Sequence, residues 1–235
     1  MSLEIRPLSS QTELTEAVRL QKEIWGYHDI DLLPVRLFVV ATKIGGQVFG
    51  TFDGHRMVAF LLAVPGVKPG GRSYLHSHMM GVLPQYRDRG IGRMLKQKQR
   101  EEAQSQGIDL LEWTFDPLEL KNAFFNIERL GAVVRRYVLN QYGTTSSHLH
   151  GGLPTDRCVA EWHITRPRPE VAITAEIEIP NAIGDLHRSD PARAREIQKR
   201  ASESFVELFY SGLTVVRFER RAESGVYLLG QWDSD

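Results

Sequence analysis

The feature that most restricts the fold of this chain is a strand-like run that passes through two closely spaced glycines into a helix. Residues 73–84, "SYLHSHMMGVLP", are typical of a strand that ends at a proline, and residues 85–95, "QYRDRGIGRML", follow directly. The N-terminal end of a helix carries partial positive charge and normally favours acidic side chains. Here Asp88 is outnumbered by basic residues, namely Arg87, Arg89, Arg93, Lys96, Lys98 and Arg100. This excess raises the hypothesis that the helix start binds an anion.

The Gly90-x-Gly92 spacing allows three interpretations. A dinucleotide-binding turn needs a third glycine where Leu95 stands, and a Walker-type phosphate loop needs a Gly-Lys-Ser/Thr ending that is absent. The third is a glycine turn whose unpaired backbone N–H groups hold a phosphate while arginines bind further phosphates. A solvated basic face, with glycines that only form the turn, stays open as the alternative.

The remaining pattern predicts a layered α/β or α+β domain with a mixed central sheet flanked by helices. A hairpin is expected around Asp53-Gly54, and a helix over residues 118–130 is expected to end at Gly131. After Tyr142 the long polar segment "GTTSSHLHGGLPTD" breaks this order, and further strands and one long helix follow. We therefore expect a core domain over residues 1–145 and a C-terminal α/β extension over residues 146–235.

Composition excludes several classes of function. Lys plus Arg and Asp plus Glu number 29 each, so the whole chain has no charge excess toward nucleic acid or a membrane surface. The basic helix also lacks interleaved aromatic residues, which disfavours nucleic-acid binding. The single cysteine, Cys158, suits a reducing compartment, and neither a signal core nor a membrane-length apolar run is present. We expect a cytoplasmic protein.

The stretch from residue 72 to residue 132 resembles the GNAT superfamily of acyl-CoA-dependent N-acyltransferases. Arg87-x-x-Gly90-x-Gly92 matches the family's pyrophosphate motif, Gln/Arg-x-x-Gly-x-Gly/Ala, and stands straight after a strand of the expected type. Downstream, "NAFFNIERLGA" at residues 122–132 is similar to the family's Asn-Ala…Leu-Gly-Phe helix. The resemblance implies a GNAT-like sheet and an acyl-CoA co-substrate, with no metal. Acetyl-CoA is the first expectation, and larger donors such as succinyl-CoA stay open.

The resemblance also assigns residues to this co-substrate. Backbone N–H groups at the start of the basic helix would hold the pyrophosphate, and the preceding strand would pair with the pantetheine arm. On the helix over residues 118–130, a stripe opposite the apolar face offers two asparagines to the pantetheine amides, and an ordinary solvated face is the alternative. The expected binding residues are Met80, Val82, Arg87, Arg89, Gly90, Ile91, Gly92, Arg93, Asn122, Phe125 and Asn126.

Transfer of an acyl group to an amine needs a base that removes the amine proton. Strand alternation places His76 and His78 on one face together with Met80 and Val82, and imidazole titrates near neutral pH. Both histidines are therefore candidate bases, and Asp116 in "TFDP" is the third. Structural histidines and an ordinary turn aspartate remain the alternatives.

One departure from the family concerns the acid that protonates the leaving thiolate. The family's usual tyrosine, five residues after the asparagine, is Ile127 here, and Ala132 replaces the usual Phe. A non-catalytic acyl-CoA sensor is therefore the alternative to an enzyme.

The acceptor is expected to be the amine of a small molecule, with amino acids among the candidates. Thr155, Asp156 and Arg157 stand at the entry of a strand in the extension, where an arginine fork suits a carboxylate and an aspartate suits an ammonium. A strand cap with a surface ion pair is the alternative. A homodimer stays open.

Overall fold

The computed structural model describes residues 3–143 and 154–232, which form two compact units. The first unit contains residues 3–112, and the second contains residues 113–143 and 154–232. The expected boundary at residues 145 and 146 lies outside the described residues. Within the described part of the chain, no helix has the length and apolar character needed to cross a membrane.

The first unit is a sheet with helices on both faces. Its strands are β1 (Leu3–Pro7), β2 (Gln47–Asp53), β3 (Arg56–Val67), β4 (Ser73–Val82) and the beginning of β5 (Leu110–Phe115), adjacent in that order. The first four pair antiparallel, whereas β4 and β5 are parallel. The helices are α1 (Gln11–Trp25), α2 (Val35–Lys43) and α3 (Ile91–Ser105). This arrangement confirms the mixed sheet expected from the sequence.

Side-chain contacts assign the helices of this unit to faces. Phe60 of β3 contacts Trp25 of α1 and Phe38 of α2, with ring centroids 5.8 and 6.1 Å apart. Ser77 of β4 instead bonds to Lys96 of α3. Helices α1 and α2 therefore cover one face of the sheet, and α3 covers the other.

The second unit contains the remaining elements. After the end of β5 come α4 (Leu120–Phe124) with a π-helical continuation (Phe125–Arg129), β6 (Val133–Val138), β7 (Arg157–His163), β8 (Ala175–Pro180), α5 (Ile183–Ser189), α6 (Pro191–Tyr210), β9 (Leu213–Arg220) and β10 (Ser224–Gln231). Their strand order is β7-β6-β9-β10-β8.

An aromatic cluster fills the core of the second unit. Phe205 of α6 stacks on Tyr137 of β6 at 5.1 Å and meets Tyr227 of β10 edge-on at 5.0 Å. Phe218 of β9 contacts the same tyrosine at 4.8 Å. Such offset and edge-to-face pairs add to the gain from burial, so α6 is anchored by one face to the sheet.

Candidate functional site

The start of α3 has the backbone geometry that the glycine motif predicts. Gly90 occupies the position before the first helical residue with φ of +79°, a left-handed conformation that favours glycine. No described side chain caps this start, and the first turn contains no acidic residue. Gly92 and Arg93 follow as the second and third helical residues. The backbone N–H groups and the dipole of this end therefore favour an anionic ligand.

Two arginines beside this start also have structural partners. Arg87 donates from Nε to the carbonyl oxygen of Val82 at 3.2 Å and from Nη2 to that of Ile24 at 3.5 Å. Arg89 lies over the ring of Tyr86, 5.0 Å from its centroid. Both side chains are exposed. Arg87 therefore stabilises the turn, whereas the sequence analysis treated this side chain as a phosphate ligand.

Lys96 does not belong to the basic surface of α3. Its side chain is 1% exposed, and Nζ lies 2.8 Å from Ser77 Oγ and 3.1 Å from Gln99 Oε1. Burial lowers the pKa of this amine well below its usual value, because water no longer solvates the charged form. The positive charge that α3 offers to a ligand is therefore smaller than the sequence suggests.

A β-bulge interrupts β4 at His78. In the ladder with β3, Leu62 pairs with Met79 and Ala63 pairs with Ser77, so His78 is left between the paired residues. The bulge reverses the side-chain alternation of the strand. Ser77 faces α3, whereas a side chain at Gly81 would contact Trp25 of α1 at 2.7 Å. In a regular strand, two residues four positions apart would lie on the same face, so the bulge has reversed the alternation.

The bulge makes one sequence prediction wrong. His76 pairs with Val64 and lies on the α1 face, whereas Met80 and Val82 lie on the α3 face. The strict alternation that placed all four side chains together holds only for a regular strand. The two histidines still lie together, with ring centroids 5.8 Å apart.

The environment of His78 suits a proton acceptor. Its side chain is only partly exposed, and burial lowers its pKa below the usual value of 6.5. The imidazole is therefore neutral at neutral pH and can take a proton from an amine. Its position at an irregularity of the strand also directs it differently from its neighbours.

Sequence reasoning missed Glu112. This β5 residue is 3% exposed and pairs in register with His76 of β4, and Lys68 bonds to its carboxylate. Parallel partners in adjacent strands point to the same face about 5 Å apart. A buried carboxylate therefore stands beside the histidine pair. The available signal was a single charged residue inside the apolar run "LLEWTF".

The second unit brings together two other predicted residues. Asp116 and Arg157 form an ion pair, with Oδ2 and Nη1 3.6 Å apart. Asp116 Oδ1 also accepts from the backbone N–H of Leu118 at 2.9 Å, the bond expected of a turn aspartate. The Arg157 guanidinium lies over the ring of Tyr142, 5.5 Å from its centroid. These contacts support the structural interpretation of Asp116, which lies in the other unit from the histidines.

The two asparagines of α4 and its π-helical continuation have different surroundings. Asn122 is exposed, whereas Asn126 is 3% exposed and its Oδ1 accepts from Trp113 Nε1 at 3.1 Å. The prediction that both asparagines lie on one exposed stripe is wrong, because the helix changes from α to π geometry at Phe125. This change alters the angle between successive side chains around the helix axis. Phe125 itself is partly buried. Ile127, at the place of the usual tyrosine, is fully buried.

Thr155 and Asp156 close the segment before β7. Thr155 Oγ1 accepts from the N–H of Tyr142 at 2.9 Å, and Asp156 Oδ1 accepts from that of Asn140 at 2.8 Å. Asp156 Oδ2 accepts from Ser202 Oγ at 2.6 Å. Both side chains are buried and serve the local backbone. Arg157 Nη1 donates to the backbone carbonyl oxygen of Asp156 at 2.8 Å, whereas the Asp156 carboxylate bonds to Asn140 and Ser202.

Comparison with known proteins identifies the fold. A family model described as the acetyltransferase (GNAT) family matches residues 10–131. A comparison with curated protein sequences found no match.

Several solved structures share this fold. The Escherichia coli ribosomal-protein-S18-alanine N-acetyltransferase is 18% identical, with a TM-score of 0.55 over 73% of this chain and 99% of that one. Arabidopsis thaliana Naa50, solved with the bisubstrate analogue CoA-Ac-MVNAL, is 16% identical, with a TM-score of 0.53 over 68% and 98%. Arabidopsis thaliana NAA60, solved with acetyl-CoA, is 12% identical, with a TM-score of 0.56 over 69% and 99%.

Proposed function

This chain belongs to the GNAT acetyltransferase family, and we propose that it transfers an acetyl group from acetyl-CoA to the amine of a small molecule. The observation that carries the proposal is the open start of α3, with left-handed Gly90 and no capping side chain among the described residues. The pyrophosphate of coenzyme A has the charge and the acceptor oxygens that such a helix start attracts.

The residues at this start fit the ligand. Gly92 is the second helical residue, so the absence of a side chain there lets an anion approach the backbone N–H groups. Arg89 and Arg93 are exposed on either side of it and can form charge-assisted bonds to phosphate oxygens. Arg87 contributes indirectly, by holding the turn through the carbonyl oxygens of Val82 and Ile24.

Acetyl-CoA, when bound, supplies an acetyl group activated as a thioester. We assign His78 as the base that removes a proton from the acceptor amine, because its imidazole is neutral and beside the bulge. The amine nitrogen then bonds to the carbonyl carbon, and the carbon–sulfur bond breaks. A backbone N–H at the bulge stabilises the negative charge that develops on the carbonyl oxygen. The products are an amide and the coenzyme A thiolate.

The thiolate leaves without a tyrosine acid in this proposal. Ile127 has no proton to donate and is fully buried. Tyr137 is engaged with Ser202 Oγ at 2.9 Å, and burial raises its pKa well above the usual value, so its hydroxyl is a poor proton donor. A coenzyme A thiolate is stable enough near neutral pH to depart and be protonated by water.

The acceptor class is the finer part of the proposal. Arg157 is the residue proposed to bind a carboxylate, since stacking on Tyr142 and pairing with Asp116 hold its guanidinium in one orientation. A molecule with a carboxylate, such as an amino acid, is therefore the ligand class that we propose for Arg157. A donor larger than acetyl-CoA, such as succinyl-CoA, is the alternative for the acyl group.

The test is release of coenzyme A thiol with acetyl-CoA and with succinyl-CoA over a panel of amino acids and their decarboxylated amines. We expect turnover with acetyl-CoA, with an acid limb below pH 6.5 that reflects His78. His78→Ala should lower the rate about a hundredfold and remove this limb, while acetyl-CoA affinity stays unchanged.

The matched control is His55→Ala, because His55 is an exposed histidine in the turn between β2 and β3. It should keep the wild-type rate and pH profile. Tight acetyl-CoA binding without thiol release for any amine would identify a sensor instead of an enzyme. An unchanged acid limb in His78→Ala would move the base to His76.

A further inference from the structure

A groove of about 730 Å³ runs along the exposed face of α6 in the second unit. One wall is α6, and the other is formed by Leu139, Asn140 and Pro154. Three apolar side chains along it are open to solvent, with exposed fractions of 61% for Leu139, 45% for Val206 and 93% for Tyr210. An exposed apolar strip of this kind marks an interaction surface.

The charged residues of the same groove are ordered along the helix. Arg195 and Lys199 lie in its first half, and Glu203 and Glu207 lie in its second half. All four are exposed and follow one another at intervals of four residues, which places them on one face. The face is therefore positive at one end and negative at the other.

We propose that this face of α6, defined by Arg195, Lys199, Glu203, Val206, Glu207 and Tyr210, binds the same face of a second copy of the chain. A two-fold axis that crosses the helix between Lys199 and Glu203 runs the two helices antiparallel. Arg195 then meets Glu207 of the partner subunit, and Lys199 meets Glu203 of the partner subunit. The same contact occurs twice, as an isologous interface requires.

The floor of the groove favours a protein partner over a small ligand. A small-molecule site needs polar groups that are free to orient its ligand. Most polar groups of the floor are instead engaged: Asp156 and Ser202 bond to each other at 2.6 Å, and Gln198 Nε2 donates to the carbonyl oxygen of Pro154 at 2.8 Å. Gln198 Oε1 is buried and has no hydrogen-bond partner among the described residues. Within the helix, Lys199 and Glu203 lie 3.9 Å apart and are both well exposed, so exchanging this weak pair for one across the interface costs little.

Two reciprocal charge variants test the interface. Glu203→Lys with Glu207→Lys makes the face wholly basic, and Arg195→Glu with Lys199→Glu makes it wholly acidic. By sedimentation equilibrium across the micromolar range, the wild type should be a dimer. Each variant alone should dimerise at least about a hundredfold more weakly, because like charges would meet. An equimolar mixture of the two should restore a dimer that contains one copy of each.

The matched control is Arg193→Glu with Arg200→Glu, two changes of the same kind at exposed positions of α6 that do not line the groove. It should remain a dimer, and all variants should keep the wild-type circular dichroism spectrum and acetyl-CoA affinity. A monomeric wild type, variants that stay dimeric, or a mixture that stays monomeric would each overturn the proposal. The readout is mass, so this result is independent of whether the acetyltransferase activity is found.

Discussion

The starts of α1 and α3 satisfy the same backbone requirement in opposite ways. At α1, Ser10 Oγ accepts from the N–H of Glu13 at 3.3 Å, and the Glu13 carboxylate accepts from the N–H of Ser10 at 3.2 Å. At α3, the position before the helix is Gly90, no described side chain caps the start, and no acidic residue follows in the first turn.

The difference separates a start that stabilises the fold from one that we propose to bind a ligand. Burial alone would raise the pKa of Glu13, but bonds from Arg6 and from Ser10 lower it to about 2. The negative charge at α1 is therefore retained in the native state and complements the helix dipole. At α3, where no described side chain caps the start, we propose that the pyrophosphate supplies this complement.

The largest expected effect comes from giving α3 an internal anion. Gly92→Asp puts a carboxylate at its second helical residue, where it competes with the pyrophosphate by charge and by volume. We expect acetyl-CoA affinity to fall at least about a hundredfold, with thermal stability unchanged or slightly higher. Isothermal titration calorimetry and thermal denaturation measure the two effects.

The same substitution at the same position of α1 is the control. Thr12 is the second residue of that helix, so Thr12→Asp should leave acetyl-CoA affinity unchanged. Equal affinity losses in both variants would mean that the α3 start has no special role. A folded Gly92→Asp protein with wild-type affinity would contradict the proposed ligand site.

A smaller effect is expected from the exposed arginine at the third helical residue. Arg93→Gln removes one charge beside the proposed pyrophosphate position, so affinity should fall about tenfold at low salt. The loss should shrink as ionic strength rises, because salt screens exposed charges. Lys98→Gln, further along the same helix, should change affinity much less, and equal losses would indicate only a diffuse attraction.

The smallest effect is expected at the capped start. Glu13→Gln should lower the free energy of unfolding by about 1 kcal/mol at pH 7 without changing acetyl-CoA affinity. The pKa of Glu13 is lowered in the folded state, so its stabilisation is present above the usual value of 4.5 and is lost as pH falls toward about 2. The difference between mutant and wild type should therefore disappear in acid.

Urea denaturation at pH 7 and near pH 2.5 measures this dependence. Glu101→Gln, an exposed change in the middle of α3, should have little effect at either pH. A stability difference that persists unchanged in acid would show that the charge of Glu13 does not contribute.

Much of this contrast could be predicted from local patterns. The strand, the glycine turn and the basic helix are consecutive in sequence. Their order and their residue types could therefore be predicted without knowledge of any long-range contact. The mixed sheet followed from the same kind of periodicity. The faces of β4 could not be predicted, because the bulge at His78 arises from the register with β3.

Other site residues depended on contacts between distant parts of the chain. The sequence predicts that Lys96 is one more surface charge, whereas the structure buries it beside Ser77 of β4. The sequence predicts that Asn126 shares an exposed stripe with Asn122, whereas in the π-helical continuation of α4 it bonds to Trp113. The position of Glu112 beside His76 follows only from the register of β5 with β4.

By itself, the sequence determined the family of this protein, the position of the glycine turn before α3 and the two histidines that are candidate bases. These properties depend on residue types at short spacings, which periodicity and turn chemistry make visible. Only the tertiary structure decided which side chains are buried, which face each occupies and how the charges of α6 are displayed along a groove. Those properties depend on strand register and helix packing, which join residues that are far apart in the chain and leave no local signal.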